Sequence, residues 1–461
     1  MKPQLELLNE RLTQEDRAEL HSIFAPRVVM TPPMDTRCGL CVLPDGEIRY
    51  YGFDKEARQD FSTPVYWSSQ DCGLSWKKRF ARGPAQHASA LRSPYSGRYI
   101  SAVSSWYPET GLNVEGERIV YAALSDSPAA TDFRLIPITN RNVTGMYLPI
   151  ALRKRERVVC AAHLCEDNIH HPAVLFSDDE GESWGMSVLE TVPRHEALWP
   201  HRGVRWQNEA SEPTLAELSD GTLLLLARTS LDVLYQYVSK DGGETWSEPS
   251  PTSFHSTLTS PQLLSLSDGR LLLFWCNTQP LPEMDHEAQR PELTEREKQG
   301  QGEDFFTNRD ACHAAISEDD GKTWRGFREI FLNEIRDRSD YRSLGGCANT
   351  LDKSVHQFQA VELPEGRVLL SFGQHPAARR AVIFAVDWLY ETCREEDFLL
   401  GLSSVSTQVF VKSVPGQFRG KTGHCSLNRT HGALLMPDPD GFPDEALFLS
   451  TLEDPRLLSP L

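Results

Sequence analysis

Fourteen histidines and ten cysteines are the side chains of this 461-residue chain best suited to hold a metal ion or to attack as nucleophiles. Their spacing supports neither chemistry. Cys38-Gly-Leu-Cys41 has the two-residue gap of chelating thiolates, but no second cysteine or histidine pair stands where it would complete a tetrahedral zinc site. His163, His170 and His171 fall beside strand-like text, and His195, His201 and His424 in loop-like text. None has the helical His-x-x-x-His spacing that puts two ligands on one face. The histidines therefore read as surface or supporting residues, and no metal or other cofactor is expected. Cys160, Cys276 and Cys312 lie in apolar runs and read as buried free thiols, not as a disulfide framework.

Charge narrows the choice further. Asp and Glu number 65 against 47 Lys and Arg, a formal net charge of −18, which argues against a nucleic-acid backbone as partner. A local group of arginines can still hold a small anion in such a protein, because planar guanidinium forks grip a carboxylate through paired hydrogen bonds. No run approaches ~18 consecutive apolar residues, so no membrane span is expected. The start, Met1-Lys-Pro-Gln-Leu-Glu, lacks an apolar signal core. The expectation is a cytoplasmic protein, or a secreted or periplasmic one had a signal been trimmed.

The elements that must position any site announce themselves in four octets of the form S-x-D-x-G-x-[ST]-W. They are Ser69-Gln-Asp71-Cys-Gly73-Leu-Ser75-Trp76, Ser177-Asp-Asp179-Glu-Gly181-Glu-Ser183-Trp184, Ser239-Lys-Asp241-Gly-Gly243-Glu-Thr245-Trp246 and Ser317-Glu-Asp319-Asp-Gly321-Lys-Thr323-Trp324. Each carries an Asp to accept local backbone N–H bonds, a Gly free to take positive φ, and a Trp to wedge beneath the turn. Four in register predict a repeated β-unit, hence a propeller. A second turn recurs between them: Leu43-Pro-Asp45-Gly46, Leu218-Ser-Asp220-Gly221, Leu266-Ser-Asp268-Gly269 and Leu363-Pro-Glu365-Gly366. The long gap between Ser69 and Ser177 is expected to hide a blade without an octet.

The pattern predicts an all-β, six-bladed β-propeller over residues 27–461, its last blade closing near the C-terminus. Residues 1–26 are expected to form an N-terminal helical extension with one short helix packed on the barrel. The polar stretch from Pro280 to Asp304 reads as a long inserted loop. The octets themselves are expected to be structural, since the turn consumes their Asp, Ser and Thr side chains.

Octets together with three arginines at matching places resemble the sialidase (neuraminidase) superfamily with Asp-box, or BNR, repeats, over residues from about 30 to 450. Arg37 opens Arg37-Cys-Gly-Leu-Cys-Val-Leu-Pro-Asp45-Gly46, where the family has Arg-Ile-Pro before an x-Asp-Gly turn; the Ile-Pro is missing here. Arg228 ends Asn208-Glu209-Ala-Ser-Glu212-Pro-Thr-Leu-Ala-Glu-Leu-Ser-Asp220-Gly-Thr-Leu-Leu-Leu-Leu-Ala-Arg228, similar to the family's second arginine strand. Arg309 stands before the strand that enters the last octet, as the third does. The resemblance implies an exo-α-sialidase-like glycoside hydrolase. It would release a terminal sialic acid, or a related 2-keto-3-deoxy sugar acid, from a sialylated glycan or other acidic-sugar substrate. Arg37, Arg228 and Arg309 would then bind the sugar carboxylate, and Asp60, in preference to Asp54, would be the general acid.

Two family marks are absent together. Retaining sialidases use a Tyr nucleophile, a neutral phenol that avoids repulsion with the substrate carboxylate. His356-Gln357 stands where that Tyr would begin its strand, and the next strand lacks the family's Tyr-Glu. Tyr341 reaching in from the preceding loop is one explanation. Another is direct, inverting attack by a water positioned by Glu212, His356 or Gln357. A third is different chemistry: a propeller polysaccharide lyase, a uronic-acid-specific hydrolase, or a non-catalytic glycan-binding propeller.

Overall fold

The computed structural model describes residues 4–31, 39–43, 45–52, 65–80, 91–104, 119–126, 134–146, 148–167, 169–195, 209–278, 309, 311–333, 355–373, 379–390, 408–411 and 447–450. Arg37, Cys38, Asp54, Asp60, His201, Tyr341, His424 and the stretch from Pro280 to Asp304 lie outside the described residues.

Two helices open the chain, α1 (Gln4–Arg11) and α2 (Gln14–Ser22), followed by strand β1 (Arg27–Met30). The expected single helix is split at Thr13. Its hydroxyl accepts from the Asp16 amide while the Asp16 carboxylate accepts from the Thr13 amide, a capping box that starts a second helix.

Six antiparallel sheets follow, each the blade of a propeller. Blade one is β2 (Gly39–Val42), β3 (Ile48–Gly52), β4 (Val65–Ser69) and β5 (Lys77–Phe80). Blade two is β6 (Leu91–Arg92), β7 (Tyr99–Ser104), β8 (Val120–Ser125) and β9 (Arg134–Thr139). Blade three has a divided inner strand, β10 (Val143–Met146) and β11 (Ile150–Ala151), then β12 (Val158–Glu166), β13 (Ile169–Ser177) and β14 (Gly185–Val188). Blade four is β15 (Ala210–Glu217), β16 (Leu223–Thr229), β17 (Val233–Ser239) and β18 (Ser250–His255). Blade five is β19 (Gln262–Ser265), β20 (Leu271–Trp275), β21 (Ala311–Ser317) and β22 (Arg325–Leu332). Blade six is β23 (Gln359–Leu363), β24 (Arg367–Phe372) and β25 (Arg380–Ala385), with β1 as its fourth strand. A separate hairpin, β26 (Gln408–Val411) with β27 (Leu447–Ser450), lies further on.

The last blade therefore does not end with the chain. Its outer strand comes from the other end, through Arg27 opposite Ile383 and Val28 opposite Val382. Blade two fills the long gap and carries no octet, as that gap implied; blade six, closed by β1, carries none either.

The second strands are mostly apolar because neighbouring blades cover both of their faces; every residue of β16, β20 and β24 is buried. The core accordingly lies between blades. Phe274, Ile316, Val368 and Phe384 pack blade five on blade six, and Val174, Leu189, Leu223 and Tyr237 pack blade three on blade four.

All four octets join a blade's third strand to its fourth. In the third, Asp241 Oδ1 accepts from Ser239 Oγ at 2.8 Å, Glu244 N at 3.0 Å and Thr245 N at 2.9 Å, and Trp246 Nε1 donates to Gly243 O at 3.1 Å. Desolvation opposes ionisation there, but these donors prevail and hold the Asp241 carboxyl down at about 2. The octet glycine also meets the blade before it. A Cβ on Gly181, at φ 88°, would lie 2.7 Å from Leu124 Cδ2 of blade two. The octets are thus staples between blades, and they take a structural role.

Strand alternation sorts the loops onto two faces. Turns joining strands one to two and three to four fall on one face, and that face carries the octets. The starts of first strands, the loops joining strands two to three, and the links between blades fall on the other. The two helices cap the octet face, where Arg11 reaches Asp45 at 3.1 Å and Arg17 reaches Glu365 at 3.0 Å.

Candidate active site

Of the residues singled out for chemistry, the described ones gather on the strand-start face. Glu212 lies near the start of β15, Arg228 near the end of β16, Arg309 just before β21, and His356 and Gln357 just before β23. Each belongs to the face opposite the octets.

Blade four supplies the first pair. Ser211 stands opposite Arg228 and Thr214 opposite Leu226, so β15 spends one residue more than β16 across this interval. The extra residue makes a β-bulge, the device that re-aims a side chain within a sheet. Glu212 takes φ 43°, a left-handed conformation that costs a non-glycine residue ~1–3 kcal/mol. Its buried carboxylate meets the buried Arg228 guanidinium, with Oε2 2.9 Å from Nη1. Ser260 Oγ donates to the same oxygen, and Arg228 Nε donates to Ser211 Oγ at 3.1 Å. The backbone amide of Glu212 donates to His163 Nδ1 at 3.3 Å.

The second pair comes from blades five and six. Arg309 is fully buried and donates from Nε and Nη2 to Leu258 O at 3.0 and 2.8 Å. Its Nη1 lies 3.5 Å from His356 Nε2. A guanidinium has only donors, so Nε2 is the acceptor and the imidazole is neutral, with its proton on Nδ1. Gly373 N donates to His356 O at 2.7 Å and fixes the backbone there.

One short segment links the pairs. Residues 256–261 lead into β19; Leu258 offers its carbonyl to Arg309, and Ser260 offers its hydroxyl to Glu212. Neither contact is legible from residue types, because one uses a backbone carbonyl and the other a serine among several. The neighbouring polar run Ser256, Thr257, Thr259 and Ser260 is buried, which only the closed ring explains.

Gln357 takes φ 62° and is half-buried, and its side chain makes no hydrogen bond to Glu212, Arg228, Arg309 or His356. Arg379, which the sequence did not single out, is fully buried on the same face, with Nε donating to Gly373 O at 3.1 Å.

Two histidines of blade three, His163 and His170, lie against the start of blade four. His163 and His170 rings sit 5.8 Å apart, and the His170 amide donates to Glu209 Oε2 at 3.0 Å. Glu209 is buried, which by itself raises its pKa. Bonds from His170, with the Arg194 guanidinium 2.5 Å away, overcome that and hold it at about 2. Among the described residues, no group of three His, Cys, Asp or Glu side chains is arranged to hold a metal ion. The described cysteines are free thiols, and Cys41, Cys72, Cys160, Cys276 and Cys312 are buried.

Residues 126–344 match the family model described as a BNR repeat-like domain. That match spans a little under half of the chain. A sialidase of Vibrio cholerae is 29% identical over 125 residues, a segment covering 23% of this chain and 16% of that protein. The likeness to this relative thus spans a small part of its length. Among solved structures, a Dyadobacter fermentans protein of unknown function has a TM-score of 0.50 at 15% identity, over 79% of this chain and 98% of that one. An α-L-arabinanase of Penicillium chrysogenum has a TM-score of 0.46 at 12% identity, over 81% of this chain and 100% of that one. A fold does not fix a chemistry, so function here must be argued from side chains.

Proposed function

We propose that this protein is a glycoside hydrolase of the exo-sialidase type, releasing a terminal sialic acid or a related 2-keto-3-deoxy sugar acid. The observation that carries this reading is the buried pairing of Glu212 with Arg228, tied through residues 256–261 to Arg309 on the strand-start face. Two guanidinium groups already fixed in orientation would bind a carboxylate without first losing side-chain freedom. Arg37 is assigned as the third carboxylate ligand.

In this reading Asp60, or Asp54 in its place, donates a proton to the glycosidic oxygen as the bond from the anomeric carbon breaks. A water attacks the same carbon and gives its proton to Glu212. Arg228 pairs with Glu212, and Ser260 and the bulge hold it in place. His356 and Gln357 occupy the place of the missing Tyr and leave room for the water, which predicts inversion. His356 Nε2 already faces Arg309, which favours Glu212 as the base. Tyr341 is the nucleophile of the competing, retaining route.

A fluorogenic sialoside assay, with NMR of the first-formed sugar, tests the reading. A β-anomer formed first supports direct water attack, whereas an α-anomer restores a covalent nucleophile. An unsaturated product absorbing in the near ultraviolet would indicate a lyase. Binding of sialic acid analogues without turnover would leave a glycan-binding propeller.

A further inference from the structure

We propose that His163 is a positioning residue for Glu212, holding the bulge that aims its carboxylate. The proposal rests on the reading of Glu212 as the water-activating group.

The backbone at Glu212 needs a hold. Its φ of 43° lies in the left-handed region, and the following residue is Pro213, whose ring pushes its predecessor towards extended conformations. The ladder pairs Ser211 and Thr214 but leaves the residues between them out of register. A buried amide excluded from the ladder must find another acceptor. His163 Nδ1 on β12 of the neighbouring blade provides it at 3.3 Å. For Nδ1 to accept, the ring must carry its proton on Nε2.

Glu212 is therefore gripped at both ends. His163 holds the amide from blade three, while Arg228 at 2.9 Å and Ser260 hold the carboxylate from blade four and the lead into blade five. His163 is braced in turn by the His170 ring, 5.8 Å away, whose amide is fixed on buried Glu209. Without the imidazole the bulge relaxes towards extended backbone, and the carboxylate leaves Arg228 and Ser260.

The test compares His163→Ala with His163→Asn, whose side-chain oxygen can accept where Nδ1 stood. On a fluorogenic sialoside, the alanine variant should lose ~100-fold in kcat, the cost of a misplaced catalytic group. Its KM should rise far less than kcat falls, because Arg309 keeps its hold on Leu258 O although Arg228 loses its Glu212 partner. The asparagine variant should recover most of the loss. NMR of protein labelled with 15N-histidine should show the Nε2–H tautomer at His163, and a crystal structure of His163→Ala should show Glu212 out of the left-handed region. Wild-type kcat in His163→Ala, no recovery in a folded His163→Asn, an Nδ1–H tautomer, or an unchanged Glu212 φ would each overturn the proposal. If wild-type protein turns over no sialoside, the functional reading fails, and the tautomer and the Glu212 backbone alone decide the role of His163.

Discussion

Glu212 Oε2 and Arg228 Nη1 face each other at 2.9 Å across the first two strands of blade four, both side chains buried. A carboxylate and a guanidinium removed from water together hold each other's charge, and either one left alone becomes a liability.

Arg228→Ala should therefore destabilise the fold by about 3–5 kcal/mol, the cost of stranding a buried charge. The double variant Glu212→Gln/Arg228→Met should recover much of that loss. Urea denaturation of the three proteins measures it, and calorimetry with a sialic acid analogue should show binding lost in every protein without Arg228.

The interblade staples should affect stability and leave chemistry alone. Asp241→Ala removes the acceptor for four donors of the third octet and should cost about 1–3 kcal/mol. Its kcat on any substrate the parent hydrolyses should be unchanged, since the octet lies on the face away from Glu212. A matched loss of kcat would mean that the two faces are coupled.

Gly181→Ala and Gly269→Ala separate backbone strain from steric conflict. Both residues sit at positive φ, but a Cβ at Gly181 would lie 2.7 Å from Leu124 Cδ2, while one at Gly269 meets nothing within 4 Å. Both should pay for the left-handed backbone, and Gly181→Ala should lose ~1–3 kcal/mol more by overpacking the blade interface. Melting temperatures of the pair give the comparison.

Glu209 gives the fold an acid-sensitive contribution. Its pKa lies at about 2 instead of the usual 4.5, so the folded state favours the carboxylate more than the unfolded chain does. That stabilisation is full above about pH 4.5 and fades as pH falls towards about 2. Urea midpoints of wild type should fall through this window, and Glu209→Gln should be less stable at pH 7 with a shallower acid decline.

Burial pushes the Cys41 and Cys72 thiols up to about 12, far from the thiolate range. Both should resist iodoacetamide at pH 8 in native protein and react readily in urea, as peptide mapping by mass spectrometry would show. Rapid native labelling of either would contradict the packing of blade one.

The octets show how far sequence reaches. A turn is a local object: Asp241 finds its donors within four residues, so residue type and spacing suffice to specify it. Four such turns fixed the repeat, and the repeat fixed which chain ends share a face. The closing strand was not legible in this way, because β1 pairs with β25 across more than three hundred residues, and nothing local marks Arg27–Met30 as the partner of Arg380–Ala385. The split of the N-terminal helix is written locally, in the capping pair Thr13 and Asp16.

The site divides along the same line. Arg228, Arg309 and Glu212 could be named from their places beside recognisable turns, whereas their contacts are all long-range. Ser260 reaches Glu212, Leu258 O receives Arg309, and His163 takes the Glu212 amide only because the blades close into a ring. Sequence determined the blade, its turns and which loops share a face, because those rest on interactions a few residues apart. The tertiary structure alone decided which side chains hold one another there, because burial and hydrogen-bond satisfaction are settled only when distant strands meet.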